Sequence, residues 1–137
     1  MLIVGCGCRG RALGSALASE GHAVRGTSRS AEGASTISGS GIDGVIADPL
    51  ALGTLLPALE GVTVMVWMLG RVDSPELHGP RLESMLARLV DSGVRGFVYE
   101  QGPGARLVLA AGERWRMPVA VAPSDGLREA VDSLLVG

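Results

Sequence analysis

A glycine triplet sits at the start of the chain, in Gly5-Cys6-Gly7-Cys8-Arg9-Gly10, directly after the apolar run Leu2-Ile3-Val4. The residue types and their spacing suit the binding of a phosphorylated ligand. Gly5 allows a tight turn off a strand, Gly7 lets the backbone approach a pyrophosphate, and Gly10 lets the following helix pack close to a sheet. The phosphates would lie on the unpaired N–H groups at the positive end of that helix, near Cys8 and Arg9. A strand–turn–helix context makes such a triplet a dinucleotide fingerprint. Arg9 stands within reach of a phosphate or faces solvent; the sequence leaves both open.

The next informative stretch is Arg25-Gly26-Thr27-Ser28-Arg29-Ser30, about 20 residues further on. An NAD-selective site carries an acid here for the ribose 2′-hydroxyl. This chain has none. Thr27 and Ser28 offer hydroxyls and Arg29 a planar cation, a set suited to a 2′-phosphate, so NADP(H) is expected over NAD(H). Asp48, ahead of Pro49, reads as a helix N-cap with proline at the first helical position. A contact from Asp48 to an adenine amino group is the second reading. Met68 and Leu69, at the end of a fourth strand, complete the expected cofactor set.

Groups for acid–base or anion chemistry are few. Arg71 is a candidate for an anionic substrate and Glu100 for a base if burial raises its pKa. His78 is a third candidate, although its setting, Glu76-Leu77-His78-Gly79-Pro80, reads as an exposed loop. Each has a structural alternative: Arg71 with Asp73 as a solvated pair, Glu100 as a strand-end charge, Ser124 as a helix cap. Cys6 and Cys8 are the two cysteines. With only His22 and His78 to add imidazole, no metal site is expected. They read as small side chains filling a crowded turn, with Cys8 open to oxidation if the helix terminus lowers its pKa.

Six strand-like and six helix-like stretches alternate to position these residues. The strands are expected at Met1–Val4, His22–Thr27, Gly44–Ala47, Val62–Met68, Gly96–Glu100 and Pro118–Val121. The helices are expected at Arg11–Glu20, Ser30–Ser38, Pro49–Leu59, Pro80–Ser92, Ala105–Trp115 and Ser124–Val136. The fourth helix has the clearest periodicity, with Leu82, Met85, Leu86, Leu89 and Val90 on one face and Gly93 as its cap. Short strands apolar on consecutive positions imply a parallel sheet covered on both faces. The expected fold is a doubly wound α/β domain, three layers thick, with strand order 3-2-1-4-5-6. A ligand then belongs at the carboxyl ends of the strands, beside strand 1.

The 137 residues are expected to form one domain, 47% hydrophobic and with a formal charge of −2. All twelve basic residues are arginine, and no basic run points to nucleic acid. No stretch has the length and apolarity of a membrane span, and the sequence starts in a strand rather than a signal peptide. A cytoplasmic location is expected.

The segments Ile3–Leu13, Gly21–Arg29 and Gly93-Val94-Arg95-Gly96-Phe97-Val98-Tyr99 resemble the atypical or extended short-chain dehydrogenase/reductases, the group of NAD-dependent epimerase/dehydratase-like proteins. The resemblance implies a Rossmann fold, a nicotinamide dinucleotide and a dimer formed through the fourth and fifth helices. The apolar run Leu107–Ala111 on the fifth helix suits that pairing. The family's acid–base pair, Tyr-x-x-x-Lys, is absent, since the chain contains no lysine. Tyr99 matches the family's structural strand tyrosine. Glu100-Gln101-Gly102-Pro103-Gly104 stands where its serine or threonine would fall, and no substrate-binding extension is expected after the sixth unit. The expectation is an NADP(H)-binding module for binding or sensing, or a subunit that a partner completes. Two alternatives stand: a small NADP-dependent oxidoreductase with unusual acid–base groups, and a binder of flavin or another nucleotide in the same crevice.

Overall fold

The strand Val64–Trp67 is buried at every position, which requires a layer of helices on each face. The computed structural model describes residues 1–69, 72, 74–123 and 125–136. It shows six parallel strands, β1 (Leu2–Val4), β2 (Arg25–Ser28), β3 (Asp43–Ile46), β4 (Val64–Trp67), β5 (Gly96–Glu100) and β6 (Val119–Ala122), in one sheet. The order is β3-β2-β1-β4-β5-β6, as the sequence predicts. Consecutive strands are joined by helical crossovers, so the fold is a Rossmann-like three-layer α/β sheet.

The pleat divides the core in two. Leu2, Val4, Met65, Trp67, Phe97 and Tyr99 face one side, where they meet α5 (Pro80–Val90) and α6 (Ala105–Trp115). Ile3, Val64, Val66 and Val98 face the other, against α1 (Cys8–Ser19), α2 (Ala31–Ser38) and α7 (Leu127–Val136). On α5 the predicted stripe holds for Leu82, Met85, Leu86 and Leu89, all nearly without solvent exposure. Each such burial contributes about 2 kcal/mol. Val90 departs from the stripe and is exposed. The helix ends at Val90, and the main-chain N–H groups of Asp91 and Ser92 close its last turn before Gly93 is reached.

Other boundaries differ from expectation too: β2 starts at Arg25 rather than His22, β4 is trimmed to Val64–Trp67, and α7 starts at Leu127 rather than Ser124. α1 begins three residues early, at Cys8, and stops as predicted before Gly21, whose φ of 96° lets its N–H turn back to the Ala18 carbonyl. The third crossover is a single helical turn, α3 (Leu52–Leu55), followed by a 3-10 turn over Leu56–Leu59. Pro57 provides no N–H, and the last turn tightens. A short helix not foreseen in the sequence, α4 (Pro75–His78), precedes α5.

Candidate functional site

β1 leads into Gly5, whose φ of 81° turns the chain out of the sheet. A Cβ there would lie 2.6 Å from Leu69 Cδ2 and 2.9 Å from the Met68 carbonyl. Glycine is needed twice over, for the dihedral and for the close approach. Gly7 caps α1 in an extended conformation, and a Cβ on it would meet nothing within 4 Å. Gly7 lies on the wall of the cleft described below. Gly10 sits beneath the turn, where a Cβ would be 3.3 Å from Cys6 Sγ and 3.4 Å from Ile3 Cγ2, so α1 lies directly on the sheet. Gly5 thus makes the tight turn and Gly10 the close helix–sheet packing that the spacing predicts.

The turn is pinned to β2. The Cys6 N–H donates to the Thr27 carbonyl at 3.3 Å, and the Cys6 side chain fills the slot against Gly26. Burial pushes the Cys6 thiol up to about 11, with Arg11 pulling the other way. At the end of β2, Thr27 is buried, Ser28 half-buried and Arg29 exposed. Ser30 then caps α2 by accepting from the Gly33 N–H at 3.0 Å.

These parts enclose a cleft of about 370 Å³ at the carboxyl ends of β1, β2 and β3. Gly5, Gly7, Thr27, Ser28, Arg29, Asp48 and Leu69 line it, all of them expected from the sequence. Two cationic residues, Arg11 and Arg29, face one acidic residue, Asp48, among the described lining residues. Cys6, Arg11, Gly33, Ala47, Pro49, Leu50, Val72 and Leu77 also line it. Sequence reading missed these because they arrive from six separate segments, and no local pattern marks the inward side of a loop.

Other expected cofactor residues lie outside the lining. Gly10 acts from beneath. Met68 is buried on the α1 side of β4, touching the site through its carbonyl beside Gly5. Cys8, the first residue of α1, is exposed. Arg9 turns away from the cleft and forms an ion pair with Glu100.

Asp48 departs from its predicted cap role. Its Oδ1 accepts from the Leu50 N–H at 2.9 Å, a turn closed locally, and the Thr54 hydroxyl takes up the Asp48 main chain. The helix starts only at Leu52, so the Asp48–Leu50 bond closes a separate turn ahead of it. The side chain remains half-buried on the cleft wall.

The described acid–base candidates, Glu100 and His78, are held by different partners. Arg71, with Asp73 and Ser124, lies outside the described residues. Glu100, at the carboxyl end of β5, has a side chain only 1% exposed and is held by Arg9, whose own side chain is 44% exposed. It is therefore a buried, paired carboxylate rather than a solvated strand-end charge. His78 is also buried, contrary to the exposed loop that its neighbours suggest. Pro75 opens a helical turn that carries the imidazole inward. Its Nε2 donates to the Val72 carbonyl at 2.7 Å, and its Nδ1 accepts from the Tyr99 hydroxyl at 2.9 Å. The Gly104 N–H donates to the same hydroxyl oxygen at 2.8 Å. Burial raises the Tyr99 pKa, Gly104 opposes it, and the Glu100 charge adds to it. The Tyr99 hydroxyl is thus engaged by His78 and Gly104. Among the described residues no group of three or more potential ligands could hold a metal, and no helix is long and apolar enough to cross a membrane.

No protein-family model matches the chain, and no curated protein sequence matches it. Solved structures do. The Citrobacter sp. triphenylmethane reductase complexed with NADP(H) is 20% identical with a TM-score of 0.66, over 88% of this chain and 47% of the reductase. The protein gox2253 is 17% identical with a TM-score of 0.73, over 89% of this chain and 50% of that one. The TrkA-N domain of the inner membrane protein ybaL from Escherichia coli is 17% identical with a TM-score of 0.62, over 98% of this chain and 93% of the domain. This chain spans about half the length of the first two and nearly all of the third. At these identities the likeness is one of fold, and it places the chain among Rossmann-like α/β structures.

Proposed function

We propose that the chain binds a nicotinamide dinucleotide, NADP(H) in preference to NAD(H), and works as a binding or sensing module or as a subunit completed by a partner. The observation that carries this reading is the cleft. The open side of Gly7, the end of β2 and the guanidinium of Arg29 face one volume with no acid at the β2 end. A carboxylate there would repel a 2′-phosphate; Arg29 attracts it. The fit is chemical as well as spatial. Free N–H groups at the start of α1 suit the diphosphate, and Ser28 with Arg29 suits the 2′-phosphate. A reductase of the same fold holds NADP(H), which supports a dinucleotide in this cleft.

A module is favoured over an independent oxidoreductase because the described acid–base groups are engaged elsewhere. His78 is held by Tyr99 and Val72, and Glu100 by Arg9, all outside the cleft lining. The exposed Val90 on α5 and Leu109 on α6 suit a homodimer through those two helices. Sedimentation at micromolar concentration tests it, and a monomer would refute it.

Calorimetric titration with NADPH beside NADH tests the cofactor reading. Binding of NADPH at least about tenfold tighter than NADH is expected. Equal affinities would remove the role of Arg29, and no binding of either would remove the cofactor.

A further inference from the structure

Arg11 is the fourth residue of α1, and its N–H donates to the Gly7 carbonyl at 2.8 Å. A helix start is the positive end of the peptide dipole, where acids are favoured and cations disfavoured. α1 has no acid in its first turn and carries both Arg9 and Arg11 at this end. Arg9 is offset by its ion pair with Glu100. Arg11 is not: among the described residues its guanidinium makes no hydrogen bond or ion pair. It is half-buried and lines the cleft. A local rule broken without a compensating partner marks a functional position.

Arg11 stands on the β2 side of the glycine turn. Its charge pulls on the Cys6 thiol, and that sulfur rests against β2, 2.7 Å from where a Cβ on Gly26 would lie. β2 ends at Ser28. Arg29, next in the chain, also lines the cleft and also lacks a partner among the described residues. The Ser28 side chain lies against the first turn of α2, where a Cβ on Gly33 would overlap its Oγ. The Ser30 N–H approaches that oxygen at 3.4 Å, and the hydroxyl proton remains to be donated. Neither acid of this region pairs with the two arginines. Glu32, in the first turn of α2, is exposed and outside the lining, and Asp48 holds the Leu50 N–H beyond β3.

We propose that Arg11 is a second determinant of cofactor choice, closing on the ribose 2′-phosphate from α1 while Arg29 closes on it from the end of β2. The proposal deepens the cofactor reading given above and rests on it. A phosphate monoester carries about −1.5 to −2 charges at neutral pH and three acceptor oxygens. One guanidinium fork engages two of those oxygens, and a second fork with the Ser28 hydroxyl serves the rest. A ribose with a free 2′-hydroxyl brings no charge and leaves both cations without a counter-charge. Arg11 therefore separates the two cofactors rather than strengthening both.

Calorimetry with NADPH, NADH and adenosine 2′,5′-bisphosphate tests this, the last carrying the 2′-phosphate without the second half of the dinucleotide. Arg11→Met keeps an unbranched stem and removes the charge. In that variant NADPH and the bisphosphate should each weaken about tenfold and NADH should be unchanged. With Arg29→Met added, NADPH and NADH should bind within about twofold of each other. Arg11→Gln carries the same expectations and serves if the methionine variant does not fold, as judged by thermal melting. Unchanged NADPH affinity in the Arg11 variant would overturn the inference and leave the cofactor reading in place. So would an NADPH preference that survives the double variant. An equal loss for NADPH and NADH would overturn it as well, since Arg11 would then hold the diphosphate that both share. Equal affinities for NADPH and NADH in the wild type, or binding of none of the three ligands, would overturn the cofactor reading and this inference with it.

Discussion

The imidazole Nδ1 of His78 accepts a hydrogen bond from the Tyr99 hydroxyl at 2.9 Å, joining the short helix α4 to strand β5. The ring stands edge-on to the tyrosine, with centroids 6.4 Å apart. Because Nε2 donates to a carbonyl, the neutral tautomer with its proton on Nε2 satisfies every contact. The Gly104 N–H donates to the same phenol oxygen and brings the start of α6 into the network.

Tyr99→Phe removes the hydroxyl and leaves the Gly104 N–H and His78 Nδ1 buried without partners. A loss of about 1–3 kcal/mol is expected, read as a lower urea midpoint with an unchanged slope. A double-mutant cycle with His78→Leu should show coupling, because the two side chains share one bond. Additive losses would mean the bond contributes nothing of its own.

Alanine at two glycines of the turn should separate folding from binding. Gly5→Ala must hold a φ of 81° and push against Leu69 and the Met68 carbonyl, so a stability loss of about 1–3 kcal/mol is expected. Gly7→Ala puts its methyl into open space and should melt like the wild type. The same methyl would meet an approaching phosphate, and NADPH affinity should fall about tenfold or more. Full affinity in Gly7→Ala would place the phosphates elsewhere.

Arg29→Met probes the 2′-phosphate directly. Losing one charge-assisted contact at a partly open site should weaken NADPH about tenfold and leave NADH unchanged. An equal loss for both cofactors would show that Arg29 acts on something they share.

The two thiols should react differently. Cys8 is exposed, whereas Cys6 is buried with its pKa raised from 9.0 to about 11. A thiol reagent at neutral pH should label Cys8 rapidly in the folded protein and reach Cys6 only after unfolding. The pH dependence has a definite sign. The native state keeps the Cys6 proton to a higher pH than the unfolded chain, so the unfolded state binds fewer protons between about 9 and 11. This contribution to stability is fully present below about 9 and is lost as pH rises through about 11. Cys6→Ala should flatten that part of the stability profile relative to the wild type, and an unaltered profile would refute the assignment.

Much of the fold was legible because its signals are local. Leu82, Met85, Leu86 and Leu89 announce the buried side of α5 by spacing alone, and β1, β4 and β5 by consecutive apolar residues. Asp48 misled for a local reason too: an aspartate before proline suits both a helix cap and the tight turn it makes with the Leu50 N–H. Val90 misled because periodicity gives the direction of a side chain without saying where its neighbours end.

By itself, then, the sequence determined the strand order expected of alternating β-α units, the turn at Gly5 and the close packing at Gly10, and the absence of an acid after β2. Each depends on residues within one short segment and on backbone geometry that glycine permits or a side chain forbids. The tertiary structure alone decided that His78 is buried on Tyr99, that Arg11, Gly33 and Leu50 reach the cleft, and that Arg9 pairs with Glu100. Those contacts form between segments far apart in the chain. Burial and ion pairing depend on what the fold brings alongside a residue, and sequence spacing carries no record of it.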